Sequence, residues 1–429
     1  MKRIAFSVKE EPVPTNRTGE RAALTDNGAW VRYQAARLLF IIASQVQGIA
    51  VAWQVFEDTH EPLGLGLVGL AQFLPMFALS LVTGKVADTF DRRKILLVCH
   101  ALVALAAAIF LSSSLLGRSF GPGHGRMILI YGVLVMLGTA RAFGGPAGQS
   151  LGATLVPKEQ LAQAIAWSSS AWQLAMIIGP MVGGLLVSAG HGPNLAYGTA
   201  LGALIVSIAL LTGVHSPPRL PETRKERGIG ALFAGIRYVA DNKIVLGAIS
   251  LDLFAVLLGG ATALLPFFAG ELDVGPWGYG VLRSAPSVGA ALCAALVGRF
   301  PIGSGAGRKM FACVLLFGLA TIAFGASRSF VLSLSALFVT GAADMISVVV
   351  RQTLVQTSTP DEMRGRVSAV NQVFIGASNE LGEFESGVTA AWLGPRVATM
   401  VGGVGTCVVV AIWVLIFPKL YRAEKLDGT

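Results

Sequence analysis

Charge is scarce in this 429-residue chain: Asp, Glu, Lys and Arg make up 13% of it, against a hydrophobic share of 54%. A soluble domain usually carries about 25% charge. A chain so poor in charge cannot cover a water-facing surface, so its apolar excess is expected to face lipid. Cysteine is scarce too. Cys99, Cys293, Cys313 and Cys407 each lie in an apolar run, and no Cys-x-x-Cys pair occurs. They read as small apolar packing residues, not as a disulfide framework or a metal site. His60, His100, His124, His191 and His215 are scattered, and no His-Glu-x-x-His, Gly-x-Ser-x-Gly or phosphate-loop motif appears. No catalytic residue, metal site or enzymatic activity is therefore expected. Without a nucleotide-binding domain a primary pump is excluded as well. The first 30 residues are polar and lack the apolar stretch of a cleavable signal, so the first span is expected to direct insertion.

What the chain does have is long apolar runs. A helical span needs about 20 largely apolar residues. Twelve stretches qualify: 33–56, 63–87, 94–116, 127–149, 161–188 and 194–214, then 244–269, 277–300, 309–327, 330–350, 367–391 and 396–417. The polar stretch Val214–Lys243, with Pro217, Pro218, Pro221 and the charged run Glu222–Arg227, separates the two sets. The expected organisation is a segment 1–32, a six-helix bundle 33–214, a linker 215–243, a second bundle 244–417 and a tail 418–429. The 52 glycines suit this reading, because glycine lets membrane helices approach closely.

The net charge of +9 would suggest a nucleic-acid partner in a soluble protein. Here the charges sit between apolar runs, so no nucleic acid is expected and topology explains them better. With both termini in the cytoplasm, 26 of the 33 Lys and Arg fall in cytoplasmic segments or at their edges. Only Arg118, Arg126, Arg328 and Arg396 lie on the other side, and Arg37, Arg141 and Arg283 lie within spans. That bias is the positive-inside pattern.

The halves echo each other. Gln149-Ser150-Leu151, Pro157 and Glu159 match Gln352-Thr353-Leu354, Pro360 and Glu362 at a constant offset of 203, and Gly179 and Gly184 match Gly382 and Gly387 at the same offset. Spans 4 and 5 therefore repeat as spans 10 and 11. Repeated six-span units suggest a substrate site near the midplane, between the halves.

After span 2 comes Gly84-Lys-Val-Ala-Asp88-Thr-Phe-Asp91-Arg92-Arg93-Lys94. A glycine permits close helix contact, a loop carboxylate can sit on a helix N-terminus, and arginines can pair with carboxylates. Such contacts could open and close with the transport cycle; the plainer alternative is that the basic residues only anchor topology. The segment resembles the span 2–3 loop signature of the major facilitator superfamily, with Thr89 and Asp91 replacing the usual basic residue and glycine. Span 5 carries Gly179-Pro180-Met-Val-Gly183-Gly184, similar to the end of that superfamily's antiporter signature, with Ala166 and Ala175 at the two upstream glycine positions. Thr359-Pro-Asp-Glu-Met-Arg-Gly-Arg-Val-Ser and Gly376-Ala-Ser-Asn-Glu-Leu-Gly-Glu-Phe-Glu resemble the bacterial branch of siderophore and drug exporters. The resemblance implies an all-α integral membrane protein of twelve helices in two pseudo-symmetric halves. It also implies a multi-pass protein of the bacterial inner membrane that exports amphipathic organic compounds, driven by the proton gradient and with no bound cofactor. An importer or lipid transporter of the same fold is the alternative.

Ionisable groups inside spans are the functional candidates. A charge at a helix centre costs roughly 2.5–3.5 kcal/mol on insertion scales. Asp252, Asp344, Glu380, Glu383, Arg141 and Arg283 qualify as transport or proton-coupling residues. Glu380 and Glu383 are three apart and share a helix face, where one could hold a proton. The structural alternative is that these charges simply pair, for example Arg283 with a carboxylate of span 11. Arg351 reads as an anchor or gate. Gln45, Gln47, Trp53, Asn371 and Asn379 are candidates for lining the substrate cavity, offering amides and a stacking surface. Trp30, Trp392 and Trp413 read as interfacial anchors. The expected partners are a small-molecule substrate and the lipid bilayer, with the chain acting as a monomer.

Overall fold

A computed structural model describes residues 24–116, 124–215, 229–300 and 305–424, and the side chains of 80, 81, 85, 87, 88, 124 and 229–232 lie outside that description. The described residues are almost entirely helical. The N-terminal half comprises α1 (Gly28–Thr59), α2 (Pro62–Thr89), α3 (Arg92–Leu115), α4 (His124–Thr154), α5 (Leu161–Ala189) and α6 (Asn194–Thr212). A linker helix, α7 (Ile229–Asp241), follows. The C-terminal half comprises α8 (Lys243–Gly259), α9 (Leu265–Glu271), α10 (Gly275–Arg299), α11 (Ala306–Ala326), α12 (Phe330–Thr357), α13 (Asp361–Leu393) and α14 (Pro395–Ile416), and a short α15 (Pro418–Tyr421) closes the described chain.

Eleven spans among the described residues are long and apolar enough to cross a membrane. The twelfth is α13, whose 33 residues carry the carboxylates of span 11. It crosses because it is packed among α2, α8 and α14, so its charges face protein and not lipid. Helix starts are set locally. Asn27 caps α1 by accepting from Trp30 N at 3.1 Å, Asp91 caps α3 by accepting from Arg93 N at 2.9 Å, and Asn242 caps α8 by accepting from Ile244 N at 3.1 Å.

Span 7 is not one helix. It stops at Gly259, passes through a 3-10 turn, Ala261–Leu264, and resumes as α9. Adjacent Gly259 and Gly260 and the following Pro266 at the start of α9 explain the interruption. Side chains take up backbone oxygens at the break: Thr406 donates to Ala255 O at 3.0 Å and Ser386 to Gly260 O at 3.2 Å. The linker is also less plain than its polar composition suggests. Residues of α7 pack on α13, and Tyr238 donates to Ser358 O at 2.7 Å.

The repeat seen in the sequence has a physical counterpart. Pro157 and Pro360 precede α5 and α13's helical runs with nearly the same backbone angles, φ −58° ψ 151° and φ −57° ψ 148°. Leu151 and Leu354 are both fully buried. The halves meet where α5 crosses α10 and α2 crosses α13. At the first crossing a Cβ on Gly184 would lie 3.0 Å from Gly280 Cα; at the second a Cβ on Gly387 would lie 2.7 Å from Gly66 Cα. Two glycine-on-glycine crossings, related by the repeat, thus let four backbones come close enough to seal the halves together.

These crossings lie toward the face opposite the chain termini. Toward the terminal face the side chains of α5 are largely exposed. The first turns of α5 expose Ile165, Trp167 and Trp172, whereas its later turns bury Gly179, Pro180, Gly183 and Gly184. The close glycine contacts between the halves thus gather on the side away from the termini.

Trp30 is an exception to expectation. It is buried with Tyr33, Leu155 and Leu211 in the core of the N-terminal half, because the Asn27 cap starts α1 a full turn before the apolar run and turns the ring inward. Trp392 is 83% exposed, as an interfacial side chain would be.

Candidate functional site

Four charged side chains from three helices meet near the middle of the interface between the halves. Arg141, from α4, donates to Gln72 Oε1 on α2 at 3.2 Å and to Glu380 Oε1 on α13 at 3.3 Å. The second bond joins the N-terminal half to the C-terminal half. One turn along α13, Glu383 Oε1 accepts from both terminal nitrogens of Arg283 on α10 at 3.3 Å, and from the Thr262 hydroxyl at 3.0 Å. The broken span 7 is what delivers Thr262 to this position. Small residues bring the backbones in: a Cβ on Gly69 would lie 3.2 Å from Glu383 Oε2, and one on Gly138 would lie 2.9 Å from Gln72 C.

Two arginines and two glutamates balance in charge, which offsets much of the cost of holding them at this depth. Their exposure differs in a useful way. The Arg141 side chain is 51% exposed while that of Glu380 is 14% exposed. Arg141 can therefore exchange Glu380 for another anion without moving far. Protonation of Glu380 would also release it. Either event removes the one charged bond described here that ties the halves together at this level.

A second pair lies wholly inside the C-terminal half. Arg351 on α12 and Asp252 on α8 form a buried ion pair, with side-chain exposures of 3% and 10%. The sequence places Arg351 near a span end as an anchor; its pairing with Asp252 brings both into the helix packing. Asp344, two turns before Arg351 on α12, lines a cavity beside them.

The remaining candidates scatter. Gln45 donates to the Met176 sulfur at 2.8 Å, on α5. Gln47 is 2% exposed and neither of its amide atoms has a partner. Asn371 is also buried. In this conformation Gln47 and Asn371 both sit in helix packing. Trp53 donates to Glu57 Oε1 at 2.8 Å and stacks on Tyr279 with centroids 6.2 Å apart, across the sealed side of the interface. Asn379 is exposed and lines the same cavity as Asp344.

The loop after α2 holds its own half together. Arg92 reaches Ser150 O at 3.5 Å, and Arg93 donates to Leu211 O at 3.2 Å and to Thr212 O, capping the C-terminus of α6 with positive charge. The Asp88 side chain lies outside the described residues. Among the described residues nothing lies within 4 Å of where a Cβ on Gly84 would stand. In α5, Gly179 and Gly183 pack on Gln45 and Ile49 of α1, and Gly184 on α10.

Gln72 and Thr262 were not singled out by sequence reasoning. Gln72 is a lone amide in an otherwise apolar stretch of span 2, which is a usable signal. Thr262 matters only because span 7 breaks beside it. A further polar group in the N-terminal half links Asp58 to Arg126 at 3.2 Å and Gln54 to Tyr197 at 2.6 Å.

The whole architecture matches known transporters. A point mutant of the nucleoside transporter NupG superposes with a TM-score of 0.71 at 12% identity, covering 91% of this chain and 100% of that one. A bacterial homologue of the iron transporter ferroportin, in an inward-facing state, gives 0.69 at 16% identity, covering 91% and 99%. A D-xylose–proton symporter gives 0.68 at 13% identity, covering 95% and 98%. Among curated proteins, the enterobactin exporters EntS of Shigella boydii serotype 18 and Escherichia fergusonii are each 25% identical over 390 residues, covering 91% of this chain and 92% of theirs. Residues 29–428 match the family model described as transmembrane secretion effector. The chain belongs to that family of major facilitator transporters, with twelve membrane-spanning helices in two halves.

Proposed function

We propose that the protein is a proton-coupled exporter of amphipathic organic compounds of drug or siderophore type, working as a monomer in the bacterial inner membrane with both termini in the cytoplasm. The observation that carries this reading is the Arg141–Glu380 bond, a half-exposed charge contact that joins the two halves. Under the positive-inside orientation, the face that holds the termini is cytoplasmic. Cargo enters there and reaches Arg141. An acidic or strongly polar group on the cargo competes with Glu380, loosening the halves on the sealed side. Opening outward exposes Glu380 to the more acidic side, where it takes a proton. Return to the inward state rebuilds the bond with Arg141 and gives the proton up to the cytoplasm. Cargo thus moves outward and a proton inward on opposite legs of one cycle. Export and cargo class draw further support from the curated relatives, which are exporters of enterobactin.

The test is efflux from energised everted vesicles carrying the protein. Cargo accumulation should collapse when the proton gradient is discharged. An unchanged rate after discharge would sink the coupling, and accumulation in the opposite sense would sink export.

A further inference from the structure

The break in span 7 borders a second space, lined by residues of the C-terminal half. This cavity of about 190 Å³ is lined by Gly260, Thr262, Thr321, Thr340, Asp344 and Asn379 among others. At roughly 30 Å³ per water it has room for about six waters, or for an ion with part of its shell.

Its wall has an unusual donor balance. Thr340 spends its hydroxyl proton on Leu337 O at 2.6 Å, Thr321 on Phe317 O at 2.9 Å, and Thr262 on Glu383 at 3.0 Å. The Asn379 amide nitrogen donates to Ile375 O at 2.8 Å. Each threonine therefore has only oxygen lone pairs left to offer, while Asn379 keeps its carbonyl oxygen and one N–H. Asp344 adds a carboxylate that has no ion pair or hydrogen bond among the described residues. The two arginines inside spans of this half are taken, Arg351 by Asp252 and Arg283 by Glu383. The C-terminal end of α8 also borders the cavity and brings the negative end of a helix with it. A wall whose polar groups are mainly acceptors, set among apolar side chains and bearing one carboxylate without an ion pair among the described residues, suits a cation.

The kind of cation follows from the ligands. None of the lining residues is Cys or His, which rules against a soft or transition metal. Calcium sites gather several carboxylates, and magnesium demands near-ideal octahedral geometry. One carboxylate, neutral hydroxyl and amide oxygens, and a helix C-terminus at a broken span suit a monovalent hard ion. We infer that this cavity is a sodium site, with Asp344 supplying the charge and Thr340, Thr321, Thr262 and Asn379 the neutral oxygens. Because Thr262 also holds Glu383, an ion here touches the inter-half charge cluster through one shared side chain.

Sodium binding is measured on the full-length purified protein in lipid nanodiscs, by equilibrium dialysis with radioactive sodium, without cargo or gradient. The outcome therefore stands whether or not export is proton-driven. Wild type should retain sodium saturably against a choline background. Asp344→Asn should weaken retention by about tenfold or more, since ligand charge sets affinity in such sites. Thr340→Val, which keeps shape and charge, should weaken it to a smaller degree, and guards against a folding defect in the first variant. Sodium should also raise the thermal unfolding midpoint of wild type and not of Asp344→Asn. Absence of saturable retention by folded wild type, or equal retention by both variants, would overturn the assignment.

Discussion

The two halves share an architecture and a sequence echo, yet they treat polar groups differently. In the N-terminal half the buried polar groups are mostly neutral: Gln54 on Tyr197, His100 on Ser207, the unpartnered Gln47. Its buried-side ion pair, Asp58–Arg126, sits at helix ends. In the C-terminal half, Asp252, Asp344, Arg283, Arg351, Glu380 and Glu383 all lie within spans. The contrast extends to the backbone. Span 1 is a continuous helix, Gly28–Thr59, whereas its counterpart, span 7, is broken at Gly259–Leu264. One half is a continuous scaffold; the other carries charge and an interruption that lets the Thr262 side chain reach Glu383. Arg141 is a half-exposed charge within a span of the scaffold, and it is spent on the other half.

The largest effect should come from stranding a buried charge. Asp252→Ala leaves Arg351 unpaired inside the C-terminal half and should lower stability by about 3–5 kcal/mol, read as a fall in the thermal unfolding midpoint in detergent. The double variant Asp252→Leu with Arg351→Leu should recover most of it. If Asp252→Ala leaves stability unchanged, the C-terminal half does not depend on its charges as the comparison says.

Next come the glycine crossings, where both halves contribute equally. Gly387→Leu places a side chain against the Gly66 backbone and should cost about 1–3 kcal/mol in the sealed conformation. The protein should then favour the opposite state, with cysteines introduced near residues 66 and 387 more reactive to membrane-impermeant reagents. Gly184→Leu, at the repeat-related crossing, should do the same. A shift from only one of them would show that the halves are not equivalent even where their backbones repeat.

Glu380→Gln and Arg141→Gln each remove the charged bond between halves. A coupling of about 1–3 kcal/mol corresponds to roughly 5- to 150-fold, so gradient-driven efflux should fall within that range. The protein should still fold, because Glu383 keeps Arg283 paired. Normal efflux in both variants would detach the cluster from coupling.

Much of this was legible from the chain alone. Twelve spans and two halves follow from apolar runs, and Gly184 and Gly387 emerged from the repeat before their shared role at the crossings was visible. The carboxylates stood out because charge in a span is costly. What could not be read was pairing. Arg283 had several carboxylates in reach along a helix face, and only packing chose Glu383. The break in span 7 hid behind an uninterrupted apolar run, since Gly-Gly there scans like any glycine-rich membrane helix. Thr262 was invisible for the same reason. The linker helix α7 is masked in the sequence by the prolines and charges just before it, which dominate the stretch. The residue type of Gln47 suits a cavity wall, and only the packing shows that its amide is buried here.

Gln47 gives the smallest and most discriminating effect. Its amide is buried with no partner for either atom, so it costs stability where it stands. Gln47→Leu replaces it with an apolar side chain of similar length and should be neutral or stabilising by about 1 kcal/mol. Because the N-terminal half is the scaffold in this comparison, efflux should stay near wild type. Stability that rises while efflux falls would mean that the amide is held unpaired for a step in which α1 turns it toward cargo. The scaffold would then carry specificity, and the division between the halves would be one of charge alone.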